Sequence, residues 1–286
     1  MDSNWRLMKH DQAEYLDPKY YHSILKEYKF GNVSDLELFK KHLSHKNYNN
    51  VLELGCGAGR GTDAFFDKFS CAKLTLLDQS NQMLEYVSKK KYESDVKYER
   101  NDHLIFLSTT AQKYDLVYSL WSFSHSIHQV LAKLGLSNGL EKVEQILKKF
   151  VSHNLLSNGE MYIMHFDSQS EEQQILIPQW ERNYSMFSKK GQSPSKELLD
   201  KVIIELDAEN IITYEMSHFE GDPIQYKNID ELLEIFLNLH LEGQFNTTDL
   251  FEDVVADITA RAKKYLLSDG TYSIRPGVYI YKIIKK

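Results

Sequence analysis

The sequence predicts an α/β fold: a parallel sheet with helices on its faces, preceded by a helical cap and interrupted late by a helical insertion. Three observations predict it. Strand-like apolar runs alternate with amphipathic helical segments from residue 50 to residue 167, the rhythm that yields βαβ units and right-handed crossovers. The first run leads at once into VLELGCGAGRG, residues 51–61, where Gly55, Gly57, Gly59 and Gly61 fall within seven positions of a 286-residue chain holding only 13 glycines. After residue 167 the rhythm changes, and two helical segments separate the last two strand-like runs.

Each element has its own signal. Residues 17–29 and 34–45 read as amphipathic helices. Asp17 before Pro18 suits a cap followed by proline at the first helical position, and Ser34 with Glu37 has capping-box spacing. A strand at 50–54 enters the glycine turn, and a helix at 61–69 leaves it. KLTLLD (73–78) is the second strand, 81–90 a helix, VKYERND (96–102) the third strand and YDLVYSLWS (114–122) the fourth. A helix at 139–153 leads to the fifth strand, GEMYIMHFD (159–167). Residues 171–190 are mixed polar and aromatic; 195–207 is a helix and NIITYEMSHF (210–219) a strand. Helices near 229–242 and 249–267 precede the alternating run GVYIYKII (277–284). This divides the chain into a cap (1–49), a core (50–218 with 271–286) and an insertion (219–270) expected to cover a substrate cleft.

Composition narrows the function classes. A formal charge of −7 argues against a general nucleic-acid binder. The Lys run at 88–92 is a solvated helix end. Cys56 and Cys71 make neither a disulfide framework nor a zinc pattern. The N-terminus lacks an apolar signal region and no run approaches a membrane span, so the expected compartment is the cytoplasm. His125 and His128 have H-x-x-H spacing, but no further Cys/His/Asp cluster supports a metal site.

The glycines point to a ligand. A strand that ends in a glycine turn opening a helix presents free N–H groups, with no side chains to keep a ligand off the main chain. The spacing is G-x-G-x-G, with Glu53 two residues ahead. In the dinucleotide fingerprint G-x-G-x-x-G the third glycine would fall at position 60, which is Arg60. Asp78 closes the second strand 19 residues past Gly59, where a carboxylate can accept from ribose hydroxyls. Asp102 closes the third, where one could accept from an adenine amine.

VLELGCGAGRG, LLDQSNQML, RND and YDLVYSLWSFSH, in that order and each at a strand end, resemble the motifs of class I S-adenosylmethionine-dependent methyltransferases. The resemblance runs from about 50 to 167. It implies a Rossmann-like sheet of seven strands with an antiparallel last strand, which GVYIYKII fits. It implies S-adenosylmethionine as cofactor, held by Glu53, Gly55, Gly57, Gly59, Asp78, Met83, Asp102 and His103. More faintly, the cap and the insertion ELLEIFLNLHLEGQFNTT are similar to those of small-molecule N-methyltransferases such as histamine N-methyltransferase, which makes a small amine a candidate acceptor.

In that family the segment after the fourth strand faces the acceptor. Trp121 and His125 are therefore expected to line its pocket, His125 as proton acceptor. Asp35 is the second candidate to take a proton from an ammonium acceptor. His165, at the end of the fifth strand, is expected to face the cleft as an acceptor-binding residue, with core packing as its other reading. Tyr20, Tyr21, Glu37, Trp180, Tyr184 and Arg275 lie on segments expected to cover the cleft, and Tyr21 and Trp180 are the choices among them for acceptor contact. No metal is implied. SLWSFSH lacks the N/D-P-P-aromatic pattern of adenine-N6 enzymes and the Pro-Cys pair used against pyrimidine carbons. Three alternatives stay open: chemistry on S-adenosylmethionine without methyl transfer, such as cyclisation or aminoalkyl transfer; a nicotinamide oxidoreductase, disfavoured by Arg60; and a binding module that keeps the pocket without catalysis.

Overall fold

A computed structural model describes residues 17–24, 26, 28–183 and 193–286. The chain opens with α1 (Pro18–Ile24), a short hairpin pairing Lys29–Phe30 with Val33–Ser34, and α2 (Asp35–His42). The Ser34 side chain accepts from the Glu37 amide and caps α2. The core then follows as β1 (Asn47–Leu54), α3 (Arg60–Phe66), β2 (Ser70–Asp78), α4 (Asn81–Val87), β3 (Asp95–Arg100), α5 (His103–Thr109), β4 (Tyr114–Leu120), α6 (Phe123–Leu134), α7 (Leu136–His153) and β5 (Leu155–Phe166). Beyond it come α8 (Glu171–Asn183), α9 (Pro194–Ala208), β6 (Ile212–Glu220), α10 (Ile229–Ile235), α11 (Phe251–Ala262) and β7 (Gly277–Lys285).

The seven strands form one sheet in the order β3-β2-β1-β4-β5-β7-β6. β1 through β5 pair in parallel, and β7 runs antiparallel to both β5 and β6. Neighbouring residues along a strand face opposite sides. Both sides are covered, so the strands read as continuous apolar runs. Val51, Leu116 and Tyr162 pack in one cluster with the cap and the inserted helices. Leu52, Val117 and Ile163 pack in the other, with α5, α6, α7 and α9.

Several elements depart from the sequence reading, which named no helix over His103–Thr109 or Phe123–Leu134. The helix expected over 17–29 ends at Ile24, and a hairpin follows. Residues 171–183, read as irregular, are α8 despite Pro178 inside it. Proline removes one amide and crowds the preceding turn, which hides a helix whose stability comes from packing: Ile175, Leu176 and Ile177 are buried. The helix expected at 229–242 becomes a π-helical turn over Phe236–His240. The inserted helices spring from a small hairpin pairing Ile224–Tyr226 with Tyr272–Ile274.

Candidate active site

In open α/β sheets ligands sit beyond the carboxyl ends of the strands, where the strand order reverses. Here that place is between β1 and β4, and a cavity opens there. Its two halves are built differently.

One half is made by the ends of β1 and β2. The amides of Gly55 and Cys56 donate to the Leu77 carbonyl at 2.8 and 3.1 Å. The Gly57 amide donates to Asp78 Oδ2 at 2.8 Å, and the Ser80 amide to Oδ1 at 2.9 Å. Asp78 thus holds the turn while itself lining the cavity. Gly55 and Gly57 have left-handed backbones, with φ of 75° and 50°. A Cβ on Gly55 would lie 2.1 Å from Ser122 Oγ, so that glycine is required by packing. A Cβ on Gly57 would meet nothing within 4 Å and would project into open space at the cavity wall. Gly59 faces Val87 behind the turn and does not line the cavity.

Glu53 is 2% exposed and accepts from Thr62 Oγ1 at 2.6 Å and Tyr118 OH at 2.8 Å. Burial outweighs these two donors and pushes its pKa up to about 8. His103 is buried beside the turn, and its Nδ1 has no hydrogen-bond partner. Burial, with some help from His125, pushes its pKa down to about 3, so the ring is neutral. Met83 also lines this half. Asp102, expected against adenine, is instead the N-cap of α5. Its Oδ1 accepts from the amides of Leu104 and Ile105, its Oδ2 accepts from Gln79, and it stands outside the cavity wall.

The other half draws on four separated segments. Trp121 follows directly on β4, and its φ of 70° is unusual for so large a residue. Its indole Nε1 donates to Asp35 Oδ2 at 2.9 Å, and its ring packs against Tyr28 and Phe30. Tyr28 donates to Glu172 Oε2 at 3.1 Å, and His240 Nε2 lies 3.7 Å from the same oxygen. Glu172 is 4% exposed in the first turn of α8. Trp180 from α8 stands edge-on to His125, and Glu242, just past the π-helical turn, binds His125 Nδ1 at 2.6 Å. Tyr21, Tyr28, Trp121, His125, Glu172, Trp180, His240 and Glu242 all line the cavity.

Two expected residues lie behind the wall. Asp35 is fully buried, and its carboxylate is held by Arg60 Nη1 and Nη2 at 2.7 and 2.6 Å besides Trp121. Both of its oxygens are taken up by these donors, and it stands outside the cavity wall. Asp35 clamps the cap, the glycine turn and the residue that follows β4 together. His165 is 1% exposed, bound through Nδ1 to the Phe166 carbonyl and through Nε2 to Ser195 Oγ, so of its two readings the core one holds. The H-x-x-H pair is split: His125 goes to Glu242, and His128 Nε2 faces Ser193 Oγ at 3.3 Å. Tyr184 lies outside the described residues. Tyr28, Glu172, His240 and Glu242 went unread in the sequence. Only Glu242 carried a signal, the Glu-Gly pair ending a helical run, where left-handed residues are common.

The glycine turn and Asp78 belong to a stretch that matches a known family: residues 51–148 match the methyltransferase domain. This segment is a methyltransferase domain. Within it, 81 residues are 35% identical to malonyl-(acyl-carrier protein) O-methyltransferase of Acetivibrio thermocellus, a match spanning 28% of either chain. Two solved structures share the fold of this chain: the cyclopropane synthase MmaA2 from Mycobacterium tuberculosis (TM-score 0.52, 14% identity, 98% of this chain and 95% of that one) and the YcgJ protein from Bacillus subtilis (TM-score 0.50, 11% identity, 88% and 98%).

Proposed function

We propose that the protein transfers a methyl group from S-adenosylmethionine to the nitrogen of a small basic amine. The cofactor half fits such a nucleoside sulfonium. Gly57 leaves space at the turn, the Asp78 carboxylate lines the same half beside it, and His103 presents a buried nitrogen with no hydrogen-bond partner among the described residues. The cofactor supplies an already activated methyl group. The chain's part is to orient the acceptor and exclude water.

The observation that carries the acceptor class is Glu172, a buried carboxylate at the cavity wall. An isolated buried charge is costly and calls for a partner. Here its neighbours are a phenol, the Gln173 side-chain amide donating to Oε1 at 3.3 Å, and an imidazole that burial holds toward its neutral form, with Glu172 itself opposing; none of them brings a full positive charge. A cation entering among Tyr28, Trp121 and Trp180 gains the charge of Glu172 and the faces of three aromatic rings.

Calorimetry with S-adenosylhomocysteine tests the cofactor. Mass spectrometry tests the reaction, with S-adenosylmethionine and a panel of amines including butylamine, benzylamine and phenethylamine. Methylated amine and S-adenosylhomocysteine are the expected products. Methylthioadenosine would replace methyl transfer by aminoalkyl chemistry, and methylation only of hydroxyl compounds would overturn the amine. Glu172→Gln is expected to raise the Michaelis constant for the amine at least tenfold and to leave cofactor affinity within about twofold. That corresponds to losing a charge-assisted hydrogen bond of about 1.5–3 kcal/mol.

A further inference from the structure

Among the described residues Glu242 is one of five non-glycine residues with positive φ, at 53°, and Gly243 follows at 64°. An L-residue held there costs about 1–2 kcal/mol and stays only where its surroundings fix it. The surroundings are the end of the π-helical turn, where the Leu241 amide donates to the Phe236 carbonyl and the Gly243 amide to the Leu237 carbonyl at 2.8 Å. The turn aims a carboxylate from the insertion at a histidine of the core. His125 sits in the first turn of α6, directly after β4, and both residues line the cavity.

We propose that Glu242 and His125 form an acid–base dyad, completed only when the insertion packs onto the core, that removes the proton from the acceptor's ammonium nitrogen. The proposal rests on the amine-methylation reading. A carboxylate accepts only, so His125 donates Nδ1–H to it, and Nε2 carries the lone pair. One proton passes from the acceptor nitrogen to Nε2. The nitrogen keeps the electron pair with which it attacks, the imidazolium is balanced by Glu242, and the proton returns to solvent as product leaves. His125 is the catalytic residue and Glu242 positions it.

The surrounding charges select this histidine. His103 from α5, His128 on the same helix, His240 from the π-helical turn and His165 from β5 all interact with His125 and are themselves pushed down, burial being the largest cause for each. Burial lowers His125 too, but the charge of Glu242 and its hydrogen bond together outweigh it, and His125 is raised.

The test titrates His125 by NMR on 15N-histidine-labelled protein with S-adenosylhomocysteine bound, in wild type, Glu242→Gln and Glu242→Asp. It then follows kcat/KM against pH for the panel amines. The midpoint of His125 should fall in Glu242→Gln and recover in Glu242→Asp. The acidic limb of the rate, where His125 is already protonated, should move with it to lower pH. A midpoint that Glu242→Gln leaves in place overturns the dyad. A midpoint that falls while the limb stays put makes the pair structural and also overturns it. No turnover of any amine, with S-adenosylhomocysteine still bound, overturns the acceptor class and this proposal with it. Failure to bind S-adenosylhomocysteine counts against methyl transfer itself.

Discussion

The two halves of the cavity are built on opposite plans. The cofactor half is local: Glu53 through Gly61 and Asp78 through Met83 come from two adjacent parallel strands and the turns that leave them. Its turn is held by backbone amides that donate to the Leu77 carbonyl and the Asp78 carboxylate. The acceptor half is dispersed. Tyr28, Trp121, Glu172, Trp180, His240 and Glu242 come from the cap, the end of β4, α8 and the insertion. Its contacts run between side chains far apart in sequence. A local site is fixed once its strands pair. A dispersed one depends on how whole layers dock, and the Asp35 clamp with Arg60 and Trp121 joins the two.

The sharpest way to break the contrast is at the turn. Gly57→Val forces a β-branched residue to φ near 50° and fills the open space. Binding of S-adenosylhomocysteine should vanish, seen as loss of the ligand-induced rise in Tm. A variant stabilised as strongly as wild type would make Gly57 a folding residue only.

Asp35→Ala strikes the joint between the halves. It leaves the Arg60 guanidinium, mostly buried, without its carboxylate. Chemical denaturation should show a loss of about 3–5 kcal/mol, the cost of breaking a buried pair from one side. A loss under about 1 kcal/mol would show that the halves dock without the clamp.

Asp78→Ala should weaken S-adenosylhomocysteine binding by about 1.5–3 kcal/mol, read by calorimetry. Unchanged affinity would confine Asp78 to its bonds with the Gly57 and Ser80 amides.

The smallest effect separates the histidines. Folding holds His103 neutral, down to about 3 from 6.5, mainly by burial. The unfolded chain binds a proton below about pH 6.5 and the folded one does not. Stability is therefore fully present above that pH and erodes as pH falls toward 3. The share from His103 is about 2 kcal/mol between pH 6.5 and 5. His103→Phe should flatten the stability profile by that amount. An unaltered profile would mean that water reaches the ring.

How much of this was legible follows the same division. The glycine turn, Asp78 and Met83 were readable because a βα turn is encoded by neighbours in sequence. Asp102 was expected to close the third strand, but that strand ends at Arg100 and Asp102 caps the next helix; position alone does not say which way a carboxylate turns. Here the unsatisfied amides at the start of α5 claim it. Asp35 was singled out for its charge near the cleft, and the structure spends that charge on Arg60. Glu172 gave no signal, since an acid in the first turn of a helix is ordinary.

By itself the sequence determined the alternation that makes a parallel sheet, the strand–turn–helix that opens the cofactor half, and the carboxylate closing β2. Each is set by propensity, periodicity and turn chemistry acting over a few residues. Only the tertiary structure decided which acids face the cavity and which are consumed in its walls, and that the insertion delivers Glu242 to His125. A carboxylate's role depends on the donors around it and on its distance from water, and those are set by segments more than a hundred residues apart once they pack.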